Sequence, residues 1–148
     1  MTLKIRDAEP GDEVAWRRLW SGYLAFCRVD LPADITSHTW ARIFDTASRL
    51  SMRVAVVDDE LAGFAIHHFH ESSWVKTPDC YLEDLYVDDR FRGQGLGRAL
   101  LDDLIKRSKK NGWSRLHWHT ESDNHRAQKL YNTYVPDNGQ LHYRLKLG

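Results

Sequence analysis

The chain has two cysteines and four prolines in 148 residues, and its formal net charge is zero. Two cysteines, Cys27 and Cys80, are too few for a disulfide-built scaffold. With no secretory signal ahead of Leu3, both are expected as free, buried thiols in a reducing compartment, and the cytoplasm is the default location. A zero net charge argues against a dedicated nucleic-acid binder, which carries a basic excess. The one basic group, Lys106, Arg107, Lys109 and Lys110, falls in the last turns of a helical pattern, where it complements the negative end of the helix dipole. No apolar run approaches membrane-spanning length. Repeats, low-complexity tracts and linkers are absent, so residues 1–148 read as one domain, long enough for a core.

What is there centres on Cys80–Gly112. Cys80–Val87 alternates in two sets, Leu82, Asp84, Tyr86 and Tyr81, Glu83, Leu85, Val87, with apolar groups in both. That pattern predicts a central strand covered on both faces. Glu83 and Asp84 inside it need partners or protons, because a buried lone carboxylate costs several kcal/mol. Three glycines follow in Arg92-Gly93-Gln94-Gly95-Leu96-Gly97, then an amphipathic helix with Leu96, Leu100, Leu101, Leu104 and Ile105 on one face and a stop at Asn111-Gly112. A glycine loop opening a helix is an anion site, since free N–H groups and the positive dipole end point the same way. Arg90, Arg92 and Arg98 add charge, and the expected ligand group is a phosphate or pyrophosphate.

The loop is not a Walker A loop, because no Gly-Lys-Ser/Thr follows it. Nor does it match the dinucleotide fingerprint, which would need glycine where Arg98 stands. It does fit R-x-x-G-x-G through Arg92, Gly95 and Gly97. Preceded by LEDLYVDDRFRG, it resembles the coenzyme A pyrophosphate loop of the GNAT (Gcn5-related) N-acetyltransferases. Asn124-x-x-Ala127-x-x-Leu130-Tyr131 is similar to that family's N-x-x-A-x-x-L-Y pattern. LED and the run from Asn124 to Tyr131 resemble most the polyamine and thialysine acetyltransferase branch and the yeast Hpa2-like proteins.

The remaining elements follow in order. Leu3 and Ile5 mark a first strand. A helix over Val14–Cys27 carries Trp16, Leu19, Trp20, Tyr23 and Leu24 on one face, and a second covers Ile35–Ala47 with Asp34 or Ser37 as cap. Met52–Val57 and Glu60–Phe69 form a hairpin about Asp58-Asp59, with Gly63 marking a bulge or a close backbone contact. Glu71–Asp79 is a loop. Arg115–Thr120 is a strand with Leu116 and Trp118 on one face and His117 and His119 on the other. A helix runs from Asn124 to about Tyr134, and Leu141, Tyr143, Leu145 and Leu147 alternate in a final half-buried strand over Gln140–Leu147. The order β-α-α-β-β-β-α-β-α-β is that of the GNAT fold, an α/β (α+β) arrangement with a mixed, mostly antiparallel central sheet flanked by helices.

The resemblance implies an acetyl-CoA-dependent N-acetyltransferase acting on a primary amine of a small molecule such as a polyamine, an amino acid or a lysine-like acceptor. It implies Tyr131 as general acid. A phenol titrates near ~10 and a thiol near ~8.5, so Tyr131 is protonated at neutral pH and can donate as a thiolate forms. It implies Leu85, Tyr86 and Val87 as backbone contacts for the pantetheine arm, with the Leu85 N–H on the thioester carbonyl, and Asn124 on the cofactor arm. Arg92, Gly93, Gln94, Gly95, Leu96, Gly97 and Arg98 would hold the pyrophosphate. Glu83 is the candidate base, its carboxyl pKa expected to rise on burial, Asp84 is a candidate to meet the amine, and either Tyr23 or Trp40 faces the acceptor pocket. Asn124 is equally a helix cap, and Tyr131 equally a core aromatic.

His67-His68-Phe69-His70 and His117-Trp118-His119 raise zinc, which the central strand between them argues against; no metal is expected. Competing readings are an acyl-CoA sensor that does no transfer and a histone or other protein lysine acetyltransferase. One departure from the family pattern is the missing glycine after Leu130-Tyr131. It points to a last strand that pairs with a second subunit, hence a homodimer.

Overall fold

The computed structural model describes all 148 residues. Five strands, β1 (Leu3–Asp7), β2 (Leu50–Val57), β3 (Glu60–His70), β4 (Asp79–Val87) and β5 (Leu116–Trp118), lie side by side in chain order. Neighbours are antiparallel except β4 and β5, which run parallel. A parallel pair needs a crossover, and α3 (Leu96–Lys110) supplies it. Asp58 and Asp59 both take positive φ, the tight-turn geometry that matches the twist of β2 and β3.

Helices α1 (Glu13–Phe26) and α2 (Ala33–Ile43) cover one face of the sheet. Trp16 is fully buried there, its ring 5.2 Å from those of Trp20 and Trp40. Val54, Phe64, Ile66 and Tyr86 meet it from the strands. Helices α3 and α4 (His125–Tyr131) lie on the other face. There Leu96, Leu100, Leu101 and Leu104 pack on Ala55, Val57, Ala62, Ala65, Cys80 and Leu82.

Gly63 serves both purposes expected of it. The register of β2 on β3 shifts beside it, and an added Cβ would lie 2.7 Å from the Tyr86 carbonyl oxygen.

Strand β4 departs from simple alternation. Ile66 pairs with Asp84 but His67 pairs with Leu82, so Glu83 is an extra residue, a β-bulge. Cys80, Leu82, Leu85 and Val87 consequently face α3, while Tyr86 faces α1 and Asp84 bonds to it. The predicted even and odd sets of β4 are thus recombined at Glu83.

Other boundaries differ for identifiable reasons. Helix α2 starts two residues earlier than predicted, with Pro32 rather than Asp34 or Ser37 at its N-cap. It stops at Ile43, because Asp45 Oδ1 accepts from the Ala47 N–H and turns the chain. Strand β5 is only three residues long, because β4 bends away at the bulge. Both cysteines are free, but Cys27 is exposed rather than buried.

The largest correction concerns the end of the chain. Gln140–Leu147 forms no strand, so the last β of the expected order is missing. Leu141, Tyr143, Leu145 and Leu147 are 78–90% exposed. Alternation specifies which side chains share a face, but a strand also needs a ladder partner. The edge strand β5 is only three residues long, and Asx turns form at Asp137 and Asn138 in the approach.

Candidate active site

Parallel strands β4 and β5 pair only through Cys80–Leu116, Tyr81–His117 and Leu82–Trp118. From Glu83 onward the edge of β4 that faces β5 has no strand partner, which opens a cleft at the carboxyl ends of two parallel strands. Leu85, Tyr86 and Val87 line this unpaired stretch.

The glycine loop stands at the far end of that cleft. Gly93 and Gly95 have φ of 76° and 82°, a region where a side chain is strained, and Gly95 is the N-cap of α3. Nothing lies within 4 Å of where a Cβ of either would sit, so the loop leaves room above its backbone for a bulky ligand group. Leu96, Gly97 and Arg98 occupy the first turn of α3, whose N–H groups have no helical partner and which contains no acidic residue. Gly97 has a different role, since its Cβ position meets Leu130 Cδ2 at 3.4 Å and lets α4 close on α3. Arg92 is anchored by Asp89 at 2.9 Å and by the Val87 carbonyl at 3.3 Å, and it stacks on Tyr86 and Phe26. Arg98 donates to Thr133 Oγ1 at 3.1 Å. Gln94 is exposed on the loop. Positive-φ glycines, free N–H groups and two arginines fit a pyrophosphate.

Tyr131 ends α4 and packs edge-on against Trp118, with ring centroids 5.4 Å apart. Burial alone raises its pKa above the ordinary phenol value, with no charged or hydrogen-bonding neighbour contributing. Its proton is therefore kept at neutral pH and not committed elsewhere in the protein. Asn124 is a cap in fact: its Oδ1 accepts from the Ala127 N–H at 3.3 Å.

The two carboxylates, both expected inside a covered strand, differ in the structure. Glu83 is exposed on the bulge. Asp84 is the enclosed one. Burial pushes its carboxyl up to about 6, opposed by a 2.7 Å hydrogen bond donated by the Tyr23 hydroxyl. Burial and the Asp84 charge raise the Tyr23 phenol in turn.

Beside Glu83 lies an open cavity of about 370 Å³. Five imidazoles line it, those of His68, His70, His117, His119 and His142, together with Tyr81, Glu83 and Arg144. His68 Nε2 is 4.0 Å from Glu83 Oε2. Burial lowers the pKa of His68, His117 and His119, so these three are mainly neutral at pH 7.

The expectation that β4 keeps the two histidine runs apart does not hold. His70 Nε2 and His117 Nε2 are 2.8 Å apart. Strands β3 and β5 are two spacings of ~4.8 Å from each other, a gap that two imidazoles on one face can bridge over β4. The His-x-His spacing on both strands carried this signal; which faces would coincide depended on the bulge. The contributions of Tyr81, His142 and Arg144 had no signal in the sequence.

The match to known proteins is extensive. Residues 14–134 match the model of the acetyltransferase (GNAT) family. The chain is 32% identical over 144 residues to D-amino-acid N-acetyltransferase HPA3 of Saccharomyces cerevisiae, covering 96% of this chain and 89% of that protein. It is 34% identical to a thialysine N-epsilon-acetyltransferase of Caenorhabditis elegans, over 54% of this chain and 49% of that protein. Among solved structures, AAC(6')-Iy in complex with a CoA-containing bisubstrate analogue superposes with a TM-score of 0.82 over 99% of this chain and all of that one, at 20% identity. A ribosomal-protein-alanine N-acetyltransferase of Brucella melitensis gives a TM-score of 0.79 over 99% of this chain and all of that one, also at 20% identity.

Proposed function

This chain belongs to the GNAT acetyltransferase family, and from that premise we propose that it transfers an acetyl group from acetyl-CoA directly to the primary amine of a small molecule, with Tyr131 as general acid. The observation that carries this reading is the bulge at Glu83, where the open edge of β4 meets the imidazole-lined cavity. Bound acetyl-CoA supplies a thioester, which is an activated acyl group with a thiolate leaving group.

The chain's own residues meet the needs of that transfer. The loop from Arg92 to Arg98 holds the pyrophosphate, and the unpaired backbone of Leu85–Val87 lies along the pantetheine arm. The Leu85 N–H donates to the oxygen that gains charge in the transition state. The Tyr131 hydroxyl gives its proton to the departing sulfur. Glu83 takes the amine proton through water, and Asp84 draws the cationic amine inward. A second reading exchanges these roles: Asp84 is the base, because a carboxyl near 6 is better matched to proton transfer at neutral pH.

The cavity favours an acceptor with both charges. Glu83 answers an ammonium group, while Arg144 answers a carboxylate. An amino acid fits that pair better than a polyamine, which carries no anion. The name of the yeast relative, a D-amino-acid N-acetyltransferase, points the same way. Four exposed apolar side chains in the last eight residues support a homodimer in which this segment adds as a strand to a second copy. The two unbridged thiols suit a reducing compartment such as the cytoplasm.

The test is thiol release from acetyl-CoA across D- and L-amino acids, lysine analogues, polyamines and a basic peptide. Turnover with free amino acids, strongly reduced in Tyr131→Phe, is expected. Turnover with the peptide alone would replace this reading by protein acetylation. No turnover, with acetyl-CoA still raising the Tm, would favour a sensor.

A further inference from the structure

The cavity contains an arrangement that acetyl transfer does not use. His70 and His117 turn their Nε2 atoms toward each other at 2.8 Å, and Asp79 places a carboxylate oxygen within 4.8 Å of both. The tautomers follow from the neighbours. His70 Nδ1 lies 2.8 Å from the Glu71 carbonyl oxygen, which can only accept, so Nδ1 carries the proton and Nε2 is a bare lone pair. A backbone carbonyl holding the remote nitrogen while the other faces a pocket is the second-shell support that metal-binding imidazoles use. His117 Nε2–H fills the lone pair in the metal-free protein.

Asp79 strengthens the case. It is 2% exposed, and Arg115 holds it through Nε and Nη2 at 2.7–3.1 Å. Its carboxylate is therefore ionised and fixed in place, and a carboxylate has about four lone-pair sites, so it retains acceptor capacity beyond the guanidinium. Two imidazoles and one carboxylate, with a cavity on the remaining side, match the composition of open zinc sites. With Zn–N bonds of 2.0–2.1 Å, tetrahedral geometry sets the two nitrogens about 3.3 Å apart, a small opening from the present pair. Magnesium and calcium prefer all-oxygen shells and are disfavoured.

We propose that His70, His117 and Asp79 form a binding site for a zinc-class divalent cation, and that an ion held there excludes the amine from the cavity beside Glu83. The second clause rests on the acceptor reading above; the first does not. On binding, the ion takes the His70 lone pair, and the His117 proton shifts from Nε2 to Nδ1, freeing its own.

The test separates the two. Equilibrium titration of the purified protein with Zn²⁺, and with Co²⁺ followed by its visible absorption, needs neither acetyl-CoA nor amine. One ion per chain is expected, with tetrahedral-type Co²⁺ absorption. His117→Ala and His70→Ala should each weaken binding at least ~10-fold, as loss of a metal ligand requires. His125→Ala, on the exposed start of α4, should not. Circular dichroism confirms that the variants fold, and the milder His117→Gln replaces any that does not. Absence of binding, or binding indifferent to both ligand substitutions, would overturn the site. For the second clause, wild-type transfer is measured with Zn²⁺ at ten times its Kd. Simple competition raises the apparent KM for the amine about 11-fold with kcat unchanged. An unchanged KM would overturn exclusion while leaving the site intact. A lack of turnover without zinc would instead count against the transferase reading.

Discussion

The Tyr23 hydroxyl on α1 donates a 2.7 Å hydrogen bond to Asp84 on β4, two residues 61 positions apart in the chain. The bond fastens the helical wall to the strand that carries both proposed base candidates. It also holds a carboxylate that burial alone would drive further toward protonation.

The stability of the protein should therefore depend on pH through Asp84. Its folded value is about 6, against an ordinary value of 3.8, so folding favours the protonated form. The stabilisation is fully present below pH ~4 and is lost as pH rises through ~6. At most ~3 kcal/mol is involved. Urea unfolding of Asp84→Asn should lack this contribution between pH 4 and 6.5. Tyr23→Phe should raise the Asp84 value further and carry the loss to higher pH.

Tyr131→Phe should lower kcat by ~10²-fold or more while leaving the Kd for acetyl-CoA nearly unchanged. Because burial raises the Tyr131 pKa, no alkaline limb from this residue should appear in the wild-type rate profile below pH ~10. A limb near pH 8 that vanished in the variant would contradict this assignment.

Gly95→Ala should cost ~1–2 kcal/mol through its left-handed backbone, although nothing clashes with the added methyl. The acetyl-CoA-induced rise in Tm should shrink as well, since the ligand loop is strained. Gly63→Ala is the contrast. Its methyl meets the Tyr86 carbonyl at 2.7 Å, so it should lower the Tm without a specific effect on acetyl-CoA binding.

Removal of residues 140–148 should leave the five-stranded sheet folded, since none of them is buried or belongs to it. Light scattering should report a dimer for the full chain and a monomer for the truncated one. A monomeric full chain would remove the strand-addition proposal. The truncated protein should also bind amino acids more weakly, having lost Arg144 from the cavity.

Much of this was legible in advance because it is local. The glycine loop and the apolar face of α3 both lie within about two dozen residues, and each is a short-range pattern. The cap at Asn124 was readable for the same reason. What escaped was whatever depended on register. The burial of Asp84 rather than Glu83 depends on one extra residue opposite His67, which periodicity does not reveal. The meeting of His70 and His117 is a contact across three strands, and it depends on which faces coincide. The last segment misled for the converse reason, since its alternation is a local property and its partner is not.

The bulge at Glu83 works like a shifted reading frame. Before it, the even residues of β4 answer to the α3 side; after it, the odd ones do. Deleting position 83 would remove the bulge but not the faces, since Leu82, Asp84 and Leu85 would then alternate plainly, with Asp84 still turned toward Tyr23. Replacing Glu83 keeps the phase whatever the new side chain. As far as the faces of β4 are concerned, this position is free in kind, which leaves its chemistry open to selection by the acceptor alone.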